Sequence, residues 1–175
     1  MKIVLITGSA HRHGTTAALA EKFIQGAAEA GHEVFRFDAA FKSVHPCLGC
    51  DTCRRTGKCV FDDDMKELNP HLLAADAVVF VSPVYYFSLN AQIKAVIDRF
   101  YANDDALHVP KKAVLITAMA DTEMISAESG NAFLHGITDF FGWQTVGVLN
   151  AKNAYAPADL TEADLTRAYE LGKNL

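Results

Sequence analysis

The chain has 175 residues, half of them apolar, with 16 Lys and Arg against 21 Asp and Glu and a formal charge of −5. That size suits one packed domain over 1–175, not two. The acidic balance and the lack of a basic run argue against a nucleic-acid partner, and no apolar stretch approaches the length that crosses a bilayer.

Lys2 to Thr7 is a continuous β-branched and aliphatic run, the mark of a strand covered on both faces. Its apolar part is too short for a secretory signal and no cleavage site follows, so the expected compartment is the reducing cytoplasm. Thr15 to Ala30 places Leu19, Phe23 and Ala27 at helical spacing, with Gly31 as a stop. His32 to Asp38 reads as a second strand, and a cysteine-rich loop at 41–61 follows. Asp62, Asp63 and Asp64 suit either a metal or, at least as well, the acidic start of a helix. Asn69-Pro70 predicts a restart of that helix, because proline fits a first turn and not an interior.

Ala77 to Ser82 is the next buried strand, ended by Ser82-Pro83. Leu89 to Tyr101 is an amphipathic helix with Ile93, Val96, Ile97 and Phe100 on one side. Ala113 to Thr117 is a strand, Ile125 to Phe141 a helix and Thr145 to Leu149 a fifth strand, at whose beginning Trp143 reads as a packing residue. Thr161 to Lys173 closes the chain as a helix with a capping-box-like Thr161-Glu-Ala-Asp164 start. Five alternations predict a doubly wound α/β fold: a parallel five-stranded sheet with helices on both faces.

Two loops carry chemistry. Thr7-Gly8-Ser9-Ala10-His11-Arg12-His13-Gly14-Thr15-Thr16 runs from a strand through a polar turn into a helix, whose N-terminal amides and dipole favour an anion. It lacks both the G-x-G-x-x-G dinucleotide pattern and the G-K-[ST] of a P-loop, which disfavours tightly held NAD and ATP. Ordinary capping by Thr15 is the plainer reading. Ser82-Pro83-Val84-Tyr85-Tyr86-Phe87-Ser88-Leu89-Asn90 follows the third strand, and its three aromatics suit either a planar ring or a plug over the sheet edge. In strand order 2-1-3-4-5 these two loops bracket the crevice. A planar aromatic group joined to one phosphate is the implied ligand, and FMN has that form.

The only cysteines are Cys47, Cys50, Cys53 and Cys59, separated by gaps of two, two and five residues. Thiolates so spaced suit a [4Fe–4S] cubane, with Gly49 and Gly57 letting the loop fold tightly around it. Tetrahedral zinc and four free thiols in a self-association loop are the other readings. The seven histidines are scattered, without ligand spacing.

Ser9 to Thr16, the Pro83 to Ser88 stretch and Gln92-Ile93-Lys94-Ala95-Val96-Ile97-Asp98-Arg99 together resemble the flavodoxin-like, NAD(P)H-dependent FMN reductase family. The Cys47 to Cys59 block with Asp62-Asp63-Asp64-Met65 is similar to its iron–sulfur flavoprotein branch. The resemblance implies non-covalent FMN with its phosphate at Ser9, Arg12, His13, Gly14, Thr15 and Thr16. Its ring would lie against Pro83, Val84, Tyr85, Tyr86, Phe87 and Ser88, with the Ala118-Met119-Ala120-Asp121 loop at the other edge. The expected activity is an FMN-dependent oxidoreductase that takes electrons from NAD(P)H and passes them to a quinone, a flavin or a redox partner, in a homodimer or homotetramer. The flavin carries that chemistry, so no catalytic side chain is expected. Two other classes compete. A phospho-receiver would need an aspartate where Ser82-Pro83 stands, and a non-catalytic binding protein would hold zinc.

Overall fold

The computed structural model describes residues 1–175. Its strands are β1 (Lys2–Thr7), β2 (Glu33–Asp38), β3 (Ala77–Tyr85), β4 (Ser88–Leu89), β5 (Lys112–Ala118) and β6 (Gln144–Ala151). The helices are α1 (Thr15–Glu29), α2 (Thr52–Thr56), α3 (Met65–Ala74), α4 (Ala91–Asp98), α5 (Asp104–Leu107), α6 (Ile125–Phe141) and α7 (Glu162–Lys173). Five strands pair in parallel in the order β2-β1-β3-β5-β6, the doubly wound arrangement expected from the alternation of apolar runs. No helix is long and apolar enough to cross a membrane.

Alternation along the central strands divides the core in two. Val4, Ile6, Val78, Phe80 and Leu115 face α3, α4 and α6, through Leu68, Leu72, Ile93, Val96 and Leu134. Ile3, Leu5, Val79, Val81, Val114 and Ile116 face α1 and α7, through Leu19, Phe23, Ala27, Ala168 and Leu171. Both faces of the middle strands are dry, which is why they read as unbroken aliphatic runs. Helices α1 and α7 meet almost backbone to backbone. A Cβ on Gly26 would stand 2.0 Å from the carbonyl oxygen of Tyr169, and one on Gly172 2.0 Å from that of Phe23. The start of α7 is the capping box expected from sequence: Asp164 N–H donates to Thr161 Oγ1 at 3.1 Å, and Thr161 N–H to Asp164 Oδ2 at 3.0 Å.

Three expectations are corrected. Helix α3 runs through Pro70 instead of restarting there; buried Met65, Leu68 and Leu72 on one face hold the turn that lacks one N–H donor. Strand β3 continues past Pro83 to Tyr85, because β4 folds back on it with Val84 opposite Leu89 and Tyr85 opposite Ser88. The helix drawn over Leu89 to Tyr101 is α4 followed by a 3-10 segment from Arg99 to Asn103.

Candidate functional site

The loops after β1, β3, β5 and β6 all leave the carboxyl edge of the sheet, and they enclose one cleft of about 890 Å3. That is large enough for a cofactor-sized molecule. Of the cofactor-contact residues expected from sequence, Ser9, Arg12, His13, Gly14, Thr15, Thr16, Pro83, Val84, Tyr85, Ala118 and Met119 line it. Tyr86, Phe87, Ser88 and Asp121 do not.

At one end sits the start of α1. Gly14 is its N-cap and provides no side-chain cap, so Thr15 does not play the ordinary capping role either. Thr15, Thr16 and Ala17 are buried, yet their first-turn N–H groups donate to no protein acceptor. A helix start leaves its first N–H groups free for an outside acceptor and carries partial positive charge. Ser9 and the two threonines place hydroxyls at the same end. This donor set fits a phosphate monoester. The Arg12 guanidinium stacks on Phe41, 3.7 Å from the ring centroid.

The two bracketing loops are tied to each other by Asn90, which is 2% exposed. Its side-chain amide donates to Gly8 O and to Gln92 Oε1, and its backbone N–H donates to Ser82 Oγ at 3.1 Å. Gly8 N–H in turn donates to Val81 O at 2.9 Å. On the other flank, Met119 N–H reaches Ala151 O and Ala154 N–H reaches Met119 O, at 2.9 and 2.8 Å. Asp121 belongs to this frame. It accepts from Ser126 Oγ at 2.5 Å and from Glu123 N–H at 3.0 Å, and the Ser126 hydroxyl, then the Glu123 amide, hold its carboxyl below the usual carboxylate range.

Tyr86 and Phe87 form the two-residue tip of the β3–β4 hairpin, both at positive φ (45° and 64°). Such turns favour Asn-Gly, and two aromatics there hold strain. Tyr86 is 98% exposed, pointing away from the cleft that Tyr85 lines. Sequence reading missed Ala154, Tyr155, Ala156 and Pro157, which form the fourth wall after β6. The rule that ligands bind outside the carboxyl ends of strands could have found them.

A second cavity is lined by all four cysteines, with Phe61, Arg99 and Tyr101 among its other walls. It shares no lining residue with the cleft. The four cysteines form no disulfide, and no three His, Cys, Asp or Glu side chains stand close enough together to hold a metal ion. Gly49 and Gly57 both adopt the left-handed region that the tight loop required. Gly49 N–H donates to Cys47 Sγ at 3.4 Å. The thiol of Cys50 is lowered, first by its hydrogen bond with Thr52.

The acidic run closes this loop at its base. Asp64 Oδ2 accepts from Ser43 N–H at 2.7 Å, while Asp63 accepts from His45 N–H at 3.0 Å and Met65 N–H at 3.2 Å. Burial alone would raise the Asp63 carboxyl, but the Arg99 guanidinium and these two amides outweigh it and hold it low. A carboxyl depressed on folding contributes stability above its unfolded value, 3.8, and loses it as pH falls through the folded value. Acid unfolding followed by circular dichroism should therefore steepen below that pH in the wild type. Asp63→Asn, which cannot titrate, should start about 3 kcal/mol less stable and lack the extra slope.

The family model described as NADPH-dependent FMN reductase matches residues 1–152. An iron–sulfur flavoprotein of Methanocaldococcus jannaschii is 36% identical over 99 residues, covering 57% of this chain and 51% of that protein. An iron–sulfur flavoprotein of Clostridioides difficile is 24% identical over 99% of this chain and 77% of its own length. The chain spans about half the length of the first of these relatives. The solved structure of an NAD(P)H:quinone oxidoreductase from Methanothermobacter marburgensis superposes with a TM-score of 0.78 at 21% identity, over 98% of this chain and 94% of that one, and so shares the flavodoxin-like fold. With its matched segment reaching from β1 to the end of β6, this chain belongs to the NADPH-dependent FMN reductase family.

Proposed function

We propose that the protein is an FMN-dependent oxidoreductase that accepts electrons from NAD(P)H and delivers them to a small acceptor such as a quinone or flavin, or to a redox partner. The observation that carries this reading is the cleft with the free first-turn amides of Thr15, Thr16 and Ala17 at one end. FMN, when bound, supplies hydride acceptance and onward electron transfer. The chain's own work is to bind and orient. The α1 amides and the hydroxyls of Ser9, Thr15 and Thr16 hold the phosphate, and Pro83, Val84, Tyr85, Ala118 and Met119 shape the space for the ring. Membership of the FMN reductase family supports the assignment, as does the quinone reductase name of the Methanothermobacter neighbour.

Saturating the purified protein with FMN and recording its spectrum after gel filtration is the direct test, followed by anaerobic oxidation of NADH and of NADPH. Thr15→Leu and Thr16→Leu should each weaken FMN binding by roughly ten- to a hundredfold, the worth of a hydrogen bond to a charged group plus steric intrusion. Unchanged FMN affinity in both variants would overturn the phosphate assignment.

The thiol loop supports a second element. Four cysteines lining one cavity supply the four thiolates that a multi-iron centre takes, one at each vertex. The names of the Methanocaldococcus and Clostridioides relatives point the same way. Cys47, Cys50, Cys53 and Cys59 would then hold a [4Fe–4S] cluster, in a homodimer or homotetramer working in the reducing cytoplasm. Iron, sulfide and zinc analysis of anaerobically purified protein separates cluster, zinc staple and free thiols.

A further inference from the structure

Arg99 is the one charged side chain of the core that also forms a wall of the thiol cavity. It is 3% exposed, and its guanidinium makes a two-pronged ion pair with Asp63, at 2.6 and 3.2 Å. A third bond, at 2.8 Å, goes to His45 O. His45 stands two residues before Cys47, and Asp63 four residues after Cys59, so this one side chain grips the loop where it leaves the fold and where it rejoins it. The fork geometry is specific to arginine.

The pair is also polarised. Arg99 lines the cavity and Asp63 does not, so the positive end of the pair faces the thiols. Cys59 lines the same cavity as the guanidinium. One buried donor, Arg99 Nε, has no partner in the protein. An unmatched N–H on a buried cation is costly, and the acceptors in the cavity lining include the four cysteine sulfurs and the Asp51 carboxylate.

We propose that Arg99 is a positioning residue for the metal centre: it pins both ends of the cysteine loop and holds a fixed positive charge against the cavity, raising the reduction potential of an iron–sulfur cluster bound there. This rests on the cluster reading of the four cysteines. The physical basis is simple. An oxidised cluster that takes one electron becomes more negative by one unit, with no bond made or broken in the protein. A nearby desolvated cation stabilises that product more than the reactant. Hydrogen bonds and net charge around the sulfurs are among the levers that set such potentials.

The test is a dithionite titration of the whole, cluster-loaded protein, monitored by electron paramagnetic resonance. Arg99→Gln should lower the ratio of reduced to oxidised cluster at a fixed potential by about tenfold, ~59 mV for a one-electron couple. Asp63→Asn removes the opposing negative charge and should move the potential the other way. Arg99→Lys keeps the charge without the fork, so its potential should stay near wild type while the loop loosens and iron is lost faster to a chelator. If Arg99→Gln fails to load, the Asn and Lys variants decide between charge and mere scaffolding. Potentials that stay put in every loaded variant, or that shift in the same direction for the Gln and Asn variants, would overturn the proposal. Wild-type protein with neither iron nor sulfide would remove the cluster reading itself, an outcome that the elemental analysis shows before any variant is made.

Discussion

Gly8→Ala should strip the protein of FMN and cost it about 3 kcal/mol of stability. Gly8 is the first residue beyond β1, and an added Cβ would stand 1.9 Å from Asn90 Oδ1, 2.8 Å from its Cγ and 3.0 Å from Ile93 Cβ. The Asn90 side chain cannot give way without breaking the bond it donates to Gly8 O and the one its Oδ1 accepts from Ser82 Oγ, which would leave buried polar groups without partners at about 1–3 kcal/mol each. The damage is also geometric, because Asn90 is the strut between the loop that carries the α1 amides and the loop that carries Pro83 to Tyr85. Separating these walls by a fraction of an ångström loosens grip on both ends of a ligand at once. The double variant Gly8→Ala/Asn90→Gly removes the nearest clash and should recover part of the loss, so that a double-mutant cycle yields a coupling energy well above zero. Isothermal titration with FMN and thermal melts measure the two effects. Gly8→Ala that binds FMN and melts like the wild type would show that the strut is dispensable.

The second large effect is expected at the α1–α7 contact. Alanine outscores glycine in a helix interior by about 1 kcal/mol, so propensity alone predicts that Gly172→Ala stabilises. Contact predicts the reverse, because the new methyl would meet the Phe23 carbonyl at 2.0 Å and the Ala27 nitrogen at 2.9 Å, both of them backbone. A backbone cannot swing aside like a side chain, so the helices must part and the apolar stripe of Phe23, Ala27, Ala168 and Leu171 opens. Overpacking of this kind costs about 1–3 kcal/mol and more where nothing can relax. We expect the contact to win by about 2 kcal/mol, a fall in melting temperature of roughly 4–8 °C for a chain of this size. Gly136→Ala is the control. Gly136 lies in α6 with open space around its would-be Cβ, so propensity alone acts and the melting temperature should rise. The same sign of change at both positions would refute the contact argument.

Much of this architecture was readable from the sequence for one reason: strands dry on both faces cannot alternate, and Lys2 to Thr7, Ala77 to Ser82 and Ala113 to Thr117 show that as nearly continuous apolar runs. The place of the β1–α1 turn at one end of the cleft was equally legible, since a strand, a polar glycine-bearing turn and a helix start leave few alternatives. What failed to show has its own physical causes. The β4 hairpin was invisible because Tyr86-Phe87 contradicts the turn chemistry by which such hairpins are found. Arg99 stood in the sequence only as the last residue of the Gln92 to Arg99 stretch; its burial depends on Asp63, 36 residues away, and no local pattern reports that. Ala154 to Pro157 offered only small residues and a tyrosine, and their place beside the cleft follows from the sheet's pairing alone.

The aromatic tip of the β3–β4 hairpin has a practical consequence. Tyr85, Tyr86 and Phe87 put three bonds favoured by chymotrypsin-type proteases in a row, on a turn that projects into solvent. A protease must open the hairpin before it can cut, so the nicking rate counts openings of that strand pair. Because Tyr85 faces the cleft and Tyr86 faces outward, the first bond should be shielded by an occupant and the second left bare. The ratio of the two cleavage products would then act as a built-in gauge of occupancy, independent of colour or turnover.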